Sequence, residues 1–279
     1  MVVRKKYIGG EMMMKTVLSI AGTDPSGGAG AAADCKTICA HGCFAFNVIT
    51  AVVSQNTQGV RDFMDVPPQL IASQIDAVYD DMSVDAVKIG MVSNPKTIHV
   101  IVQALKKYKP RFTVIDPVMV ATSGHRLLAA EAERTLVQEL LPQAYVLTPN
   151  IPEAEVLSNM EIKTIEDMEK SAKKIKELQP EWVLIKGGHR VADSIDVLYD
   201  GTQFYYLKGD HLDSTNTHGT GCSLSSAIAA NLAMGKRVVE AVQAAKEYVF
   251  QGILHAPNIG KGNGPIQHFY YLYHQAGWE

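Results

Sequence analysis

The chain reads as an α/β protein: a mainly parallel, doubly wound sheet flanked by helices, with an antiparallel hairpin at its edge. Three observations predict this. Short apolar runs recur along the sequence, each closing on polar or glycine-rich residues, with helical stretches between them. The rhythm breaks once, at residues 196–207, where Asp200-Gly201 separates two apolar runs as a hairpin signal. Finally, Asn216-Thr217-His218-Gly219-Thr220-Gly221-Cys222 runs straight into small apolar residues from Ser223 to Met234, a loop followed by a closely packed helix.

Taken in order, residues 16–21 form a buried strand that turns at Gly22-Thr23-Asp24-Pro25-Ser26-Gly27-Gly28-Ala29-Gly30, and a helix follows from Ala29 to His41. Residues 44–53 read as the next strand, leading to Gln55-Asn56-Thr57. Pro68 opens a helix to Met82, residues 85–89 are a strand ending in Gly90-Met91, and Pro95 opens another helix. Further strands at 112–115, 145–147 and 182–185 end in Asp116-Pro117-Val118-Met119, in Thr148-Pro149-Asn150 and in Lys186-Gly187-Gly188-His189. After the hairpin come the helix from Ser223 and a second one over 238–255. In such a sheet, ligands bind outside the carboxyl ends of the strands, where these polar termini gather.

With 279 residues, 47% hydrophobic and 20% charged, the chain can bury a sizeable core. A net charge of −3 gives no general attraction to nucleic acid, so any anion must be bound locally. No apolar run is long enough to cross a bilayer, and residues 1–14 lack the apolar stretch and cleavage site of a signal peptide. The expectation is a disordered leader over 1–14, one domain over 15–279, and a cytoplasmic location. Four cysteines make no disulfide framework. Cys35, Cys39 and Cys43, with His41 among them, invite a metal reading, but the first two share a helix face with small apolar residues. Free cysteine as core filler fits that pattern better than zinc, whose ligands usually pair more tightly and come from two elements.

The chemistry concentrates in the glycine loops. Glycines at 219 and 221 let the backbone approach a ligand, and free N–H groups at a helix start, with the positive dipole end, make an anion site. A thiol at Cys222 in that field should favour its thiolate. The loop after the first strand is not a Walker loop, because Ala29 stands where lysine should follow, and it contains no G-x-G-x-x-G.

The ordered set of 21–30, Val48-Ile-Thr-Ala51, Gln55-Asn-Thr57, Lys88-Ile-Gly-Met91, Asp116-Pro-Val-Met119, Thr148-Pro-Asn150 with Glu153, Lys186-Gly-Gly-His189 and Thr217-His-Gly-Thr-Gly-Cys222 resembles the ribokinase-like superfamily. Within it, the chain is similar to the hydroxymethylpyrimidine and phosphomethylpyrimidine kinases of thiamine biosynthesis, over residues 17–269. The resemblance implies two phosphoryl transfers from ATP, to the hydroxymethylpyrimidine and then to its monophosphate, usually by a homodimer. It implies a pocket for a small heteroaromatic alcohol at Ala29, Gly30, Asp34, Gln55, Met91 and Val118, with Gln55 facing the aminopyrimidine edge. An amide suits that edge because it both donates and accepts. Lys186, Asn150 and Thr217 would serve the nucleotide, with Lys186 a mobile charge near its phosphates. Asn150 and Glu153 would help hold magnesium, largely through water, and would also suit a helix capping box. Gly219, Thr220 and Gly221 would stabilise the transferring phosphoryl; the proton acceptor is left between Cys222 and Asp34.

The sequence departs from the family at 31–37, where small residues replace bulkier ones, and at Thr122, where lysine is usual. The nearest alternative, a vitamin B6 kinase of the same branch, implies a lid cysteine after Asp-Pro-Val-Met; here Val120 and Ala121 follow. A non-catalytic pyrimidine or nucleotide sensor would imply damage to the anion loop or the Asn150/Glu153 element, and both are intact.

Overall fold

A computed structural model describes residues 14–119, 130–188, 195–209 and 212–278. Eight strands form the main sheet in the order β10-β9-β8-β7-β6-β5-β1-β2. Six of them run parallel: β1 (Thr16–Ala21), β2 (Phe44–Ile49), β5 (Ala86–Ile89), β6 (Thr113–Ile115), β7 (Val146–Leu147) and β8 (Trp182–Ile185). β9 (Asp196–Tyr199) and β10 (Phe204–Leu207) add the expected antiparallel edge.

Side chains alternate between the two sheet faces, and each face has its own core. Leu18, Val87, Ile115 and Val183 face Ile71 and Ile75 of α2 (Pro68–Asp81), Ile98 and Ile101 of α3 (Pro95–Tyr108), and Met168 and Ile175 of α6 (Ile165–Lys176). Val17, Ala86, Val114 and Leu184 face Ile38 of α1 (Gly30–Ala40), Ala227 and Ile228 of α7 (Thr220–Ala233), and Ala241 and Val242 of α8 (Val238–Leu254). The small residues of α7 let it sit deep in the fold, with every side chain from Ser223 to Ala233 buried.

One expected strand is two. Residues 44–53 break at Thr50, and β3 (Ala51–Asn56) leaves the sheet to pair with β4 (Gly59–Asp65) in a separate antiparallel ribbon. Thr50 is the pivot. Its N–H donates to Ala21 at 3.0 Å, its carbonyl accepts from Val66 at 2.9 Å, and its hydroxyl donates to the Met91 carbonyl at 2.8 Å. The apolar run continues through the break because β3 buries Ala51 and Val53, so composition alone does not mark it. The helix expected from Ser223 starts three residues earlier, at Thr220, which puts Gly221 and Cys222 in its first turn.

Candidate active site

The carboxyl ends of the parallel strands open into a cavity of about 1440 Å³. Its wall holds Ala29 and Gly30 from the first glycine loop, Gln55 from β3, Met91 after β5, Val118 after β6, and Asn150 and Glu153 after β7. Lys186 after β8 and the run Thr217, Gly219, Thr220, Gly221 and Cys222 complete it. Thirteen strand-end and loop positions separated by up to about two hundred residues thus meet because a parallel sheet sends all its strand ends to one edge.

The start of α7 is built for close approach. Gly219 precedes it with φ 77°, a left-handed conformation that favours glycine. A Cβ there would stand 1.7 Å from the Gly28 carbonyl oxygen, so this loop and the first glycine loop touch backbone to backbone. No side chain caps the helix: Thr220 turns its hydroxyl back to the Thr217 carbonyl at 3.0 Å. The first-turn N–H groups of Gly221 and Cys222 have no preceding helical carbonyl and are available to an anion in the cavity.

Cys222 departs from expectation. Burial pushes its thiol up to about 11, with Lys88 opposing and the Asp34 and Asp116 charges adding to the rise. At neutral pH the group is therefore a thiol: the desolvation of its partly buried site outweighs the favourable helix field.

Beside it lies a charged cluster. Lys186 Nζ donates to Asp116 Oδ1 at 2.8 Å, and the Thr148 hydroxyl reaches the same oxygen at 3.1 Å. A Cβ on Gly221 would come within 3.3 Å of Asp116 Oδ2 and 3.5 Å of Lys186 Nζ, so the first turn of α7 sits directly on this pair. The expected mobile lysine is instead pinned, and although burial acts to lower its pKa, Asp116 and Glu153 raise it. Asn150 and Glu153 form a reciprocal capping box on α5 (Ile151–Ser158): Asn150 Oδ1 accepts from Glu153 N at 2.9 Å, and Glu153 Oε2 from Asn150 N at 2.8 Å. Burial raises Glu153 to about 7; Lys186 pulls it down and Asp116 pushes it up.

This donor set suits magnesium. Two carboxylates, Asp116 and Glu153, flank the cavity, and magnesium takes few carboxylates while keeping several waters. A cation there would also relieve the mutual repulsion that helps raise Glu153. Among the described residues no group of three His, Cys, Asp or Glu stands together to hold a metal ion, and the four cysteines are free.

Asp34 is a correction. Expected in the pocket, it does not line the cavity and is fully buried. Lys88 Nζ binds both its oxygens at 2.8 Å, Ser19 Oγ donates to it at 2.6 Å and Ser226 Oγ at 2.8 Å. A carboxylate so fully engaged is a structural tie between α1, α7, β1 and β5. Three residues stood in the sequence motifs without a role: Asp116, which pairs with Lys186, and Asp24 and His218, which meet although 194 residues apart. The lid residues 120–124 and His189 lie outside the described residues.

The sequence profile of the phosphomethylpyrimidine kinase family matches residues 24–267. The chain belongs to this family. It is 45% identical over 262 residues to the hydroxymethylpyrimidine/phosphomethylpyrimidine kinase of Rhizobium meliloti, covering 92% of this chain and 98% of that one. It is 44% identical to the thiamine biosynthesis bifunctional protein ThiED of Geobacter sulfurreducens, of whose length it spans about half, 52%. Among solved structures it is similar to the phosphomethylpyrimidine kinase of Clostridium difficile, with TM-score 0.78, 44% identity, and coverage of 86% of this chain and 99% of that one. The pyridoxal kinase of Staphylococcus aureus in complex with ADP superposes with TM-score 0.85 at 34% identity, over 92% and 94% of the two chains. Fold likeness does not separate these two activities, while sequence identity favours the pyrimidine kinases. The family member is a phosphotransferase on a ribokinase-like fold.

Proposed function

We propose that the chain transfers a phosphoryl group from ATP to the hydroxymethyl oxygen of 4-amino-5-hydroxymethyl-2-methylpyrimidine, and then a second one to the resulting monophosphate. The observation that carries this reading is the joining, in one cavity, of an uncapped glycine helix start with a small-walled pocket that presents the Gln55 amide. Gln55 supplies a donor and an acceptor to the aminopyrimidine edge, and Met91 lays its polarizable sulfur against the ring. Ala29, Gly30 and Val118 keep that pocket shallow enough for a single ring.

The first turn of α7 holds the transferring phosphoryl by position and partial charge, which is most of what phosphoryl transfer requires. Cys222, as a neutral thiol, orients the acceptor hydroxyl rather than waiting as a charged base. Lys186 offers its charge to the nucleotide phosphates, exchanging Asp116 for them, with Thr217 and Asn150 alongside. Asn150, Glu153 and Asp116 would hold magnesium through water, and the ion would neutralise phosphate charge. Because glycine N–H groups recognise phosphate rather than its acceptor, one site serves both transfers. We read the protein as a cytoplasmic homodimer with residues 15–279 forming one unit.

A substrate panel tests this. With MgATP and the hydroxymethylpyrimidine, monophosphate should rise first and pyrophosphate follow. Phosphorylation of pyridoxal faster than the pyrimidine, with monophosphate as sole product, would support the vitamin B6 kinase reading instead.

A further inference from the structure

The parallel strands that gather their carboxyl ends at the catalytic cavity gather their amino ends at the opposite edge of the sheet. A second, smaller pocket of about 390 Å³ opens there. Lys15, Asp85, Phe112 and Tyr145 reach it as the residues just before β1, β5, β6 and β7, and Arg111 arrives with Phe112. Lys236 and Arg237 come from the turn between α7 and α8. α7 is 14 residues long and runs from the anion turn to this pocket, so its two ends lie about 21 Å apart at 1.5 Å per residue.

The pocket runs against the charge of the chain. Its wall holds four cations and one carboxylate, in a protein whose net charge is −3. Two of the cations are already matched. Lys15 Nζ donates to Asp85 Oδ1 at 2.7 Å, while the Thr16 N–H and hydroxyl donate to Oδ2 at 3.0 and 3.2 Å. Arg237 donates through Nε and Nη2 to Glu240 Oε1 at 3.1 and 2.6 Å. Arg111 and Lys236 remain, and neither forms an ion pair among the described residues. The negative pole of α7 accounts for a cation at Lys236. It does not account for Arg111, which arrives from the connection between α3 and β6.

The wall beside Arg111 is aromatic. Its guanidinium carbon lies 4.9 Å from the centroid of the Phe112 ring, and Phe112 meets Tyr145 edge to face at 5.1 Å. A guanidinium that rests its face on a ring keeps its N–H edge for the paired oxygens of a phosphate. Phe112 and Tyr145 are partly buried, and the buried Leu232 and Val238 add apolar surface. A pocket of this size suits a ligand of one ring and one phosphate.

We propose that this pocket is a second ligand site, which takes a small aromatic phosphate ester. Arg111 and Lys236 bind the phosphate, and Phe112 and Tyr145 face the ring. The site stands apart from the catalytic cavity and does not depend on which substrate is phosphorylated there.

Calorimetric titration of the full chain with phenyl phosphate tests it, in saturating MgADP to occupy the catalytic cavity. Wild type should bind with a Kd of about 1 mM or tighter. Arg111→Glu combined with Lys236→Glu should weaken binding about tenfold or more, because reversing both charges replaces attraction with repulsion. Inorganic phosphate should bind about tenfold more weakly than phenyl phosphate, since it leaves the aromatic wall unused. Both substituted residues are exposed and lie at the far edge of the sheet. Phosphorylation by the paired variant, without phenyl phosphate, should therefore keep kcat and KM within about twofold of wild type. Should that variant not fold, Arg111→Gln with Lys236→Gln decides, with an expected loss of binding of about threefold. Phenyl phosphate binding that survives the substitutions undiminished belongs elsewhere on the protein and overturns the site. Inorganic phosphate bound as tightly as the ester, or no binding at that concentration, overturns it as well.

Discussion

Two helices begin at the same cavity and treat their first turns in opposite ways. α5 closes its start with its own side chains: Asn150 and Glu153 satisfy each other's N–H groups, and Pro152 has none to satisfy. α7 leaves its start open, with a left-handed glycine in place of a capping side chain. Both ends carry the positive pole of a helix dipole. At α5 that pole already faces the Glu153 carboxylate, so the end presents net acid to the cavity and suits a cation. At α7 no side chain caps the first N–H groups, which leaves them open to an anion. The pairing teaches that two helix starts facing one cavity differ by their caps: one carries a carboxylate of its own, and the other leaves its N–H groups free.

The largest effect should come from closing α7. Gly219→Ala places a Cβ 1.7 Å from the Gly28 carbonyl oxygen at a φ of 77°. Phosphorylation should fall by about a thousandfold, the top of the range for one lost oxyanion donor, because strain displaces the whole turn. A coupled ATPase assay reads it, and turnover near wild type would mean that the close approach is unnecessary.

Next is Cys222→Ala, which removes a group from the open turn without filling it. A fall in kcat of about a hundredfold is expected, the lower end for a lost proton-handling group, with substrate binding nearly intact. Iodoacetamide labelling of Cys222 should be slow at neutral pH and climb toward pH 11, following its raised pKa. Fast labelling at pH 7 would restore the thiolate.

Glu153 tests the closed end by pH. Its folded pKa, near 7, lies above the ordinary 4.5, so folding favours its protonated form. That contribution is complete below pH 4.5 and is lost as pH rises through 7. Glu153→Gln keeps the capping box, because glutamine caps as well, and should flatten the fall in Tm between pH 5 and 7.5. Magnesium should offset that fall in wild type and not in the variant. Parallel Tm curves for the two proteins would show that Glu153 does not titrate there.

The smallest effect is expected from Asn150→Ala, which opens the capped end without touching the anion turn. It should cost about 1 kcal/mol of stability, read as a Tm lower by roughly 2–4 °C. Loss of ATP turnover as deep as in Gly219→Ala would erase the distinction between the two ends.

Local pattern determined much of this protein. The strand ends, the hairpin at Asp200-Gly201, the prolines opening α2 and α3, and the Asn150/Glu153 box were all legible, because propensity and hydrogen bonding over three or four residues decide them. Thirteen of the fourteen expected site residues line the cavity, since every parallel strand delivers its polar end to one edge. Tertiary structure alone decided the rest. It sealed Asp34 against Lys88 below the cavity, broke the run of 44–53 at Thr50, brought Asp24 to His218, and made Cys222 a thiol. Each of these depends on which distant groups share a buried volume. Desolvation and charge pairing are set by that volume, and no spacing along the chain encodes it.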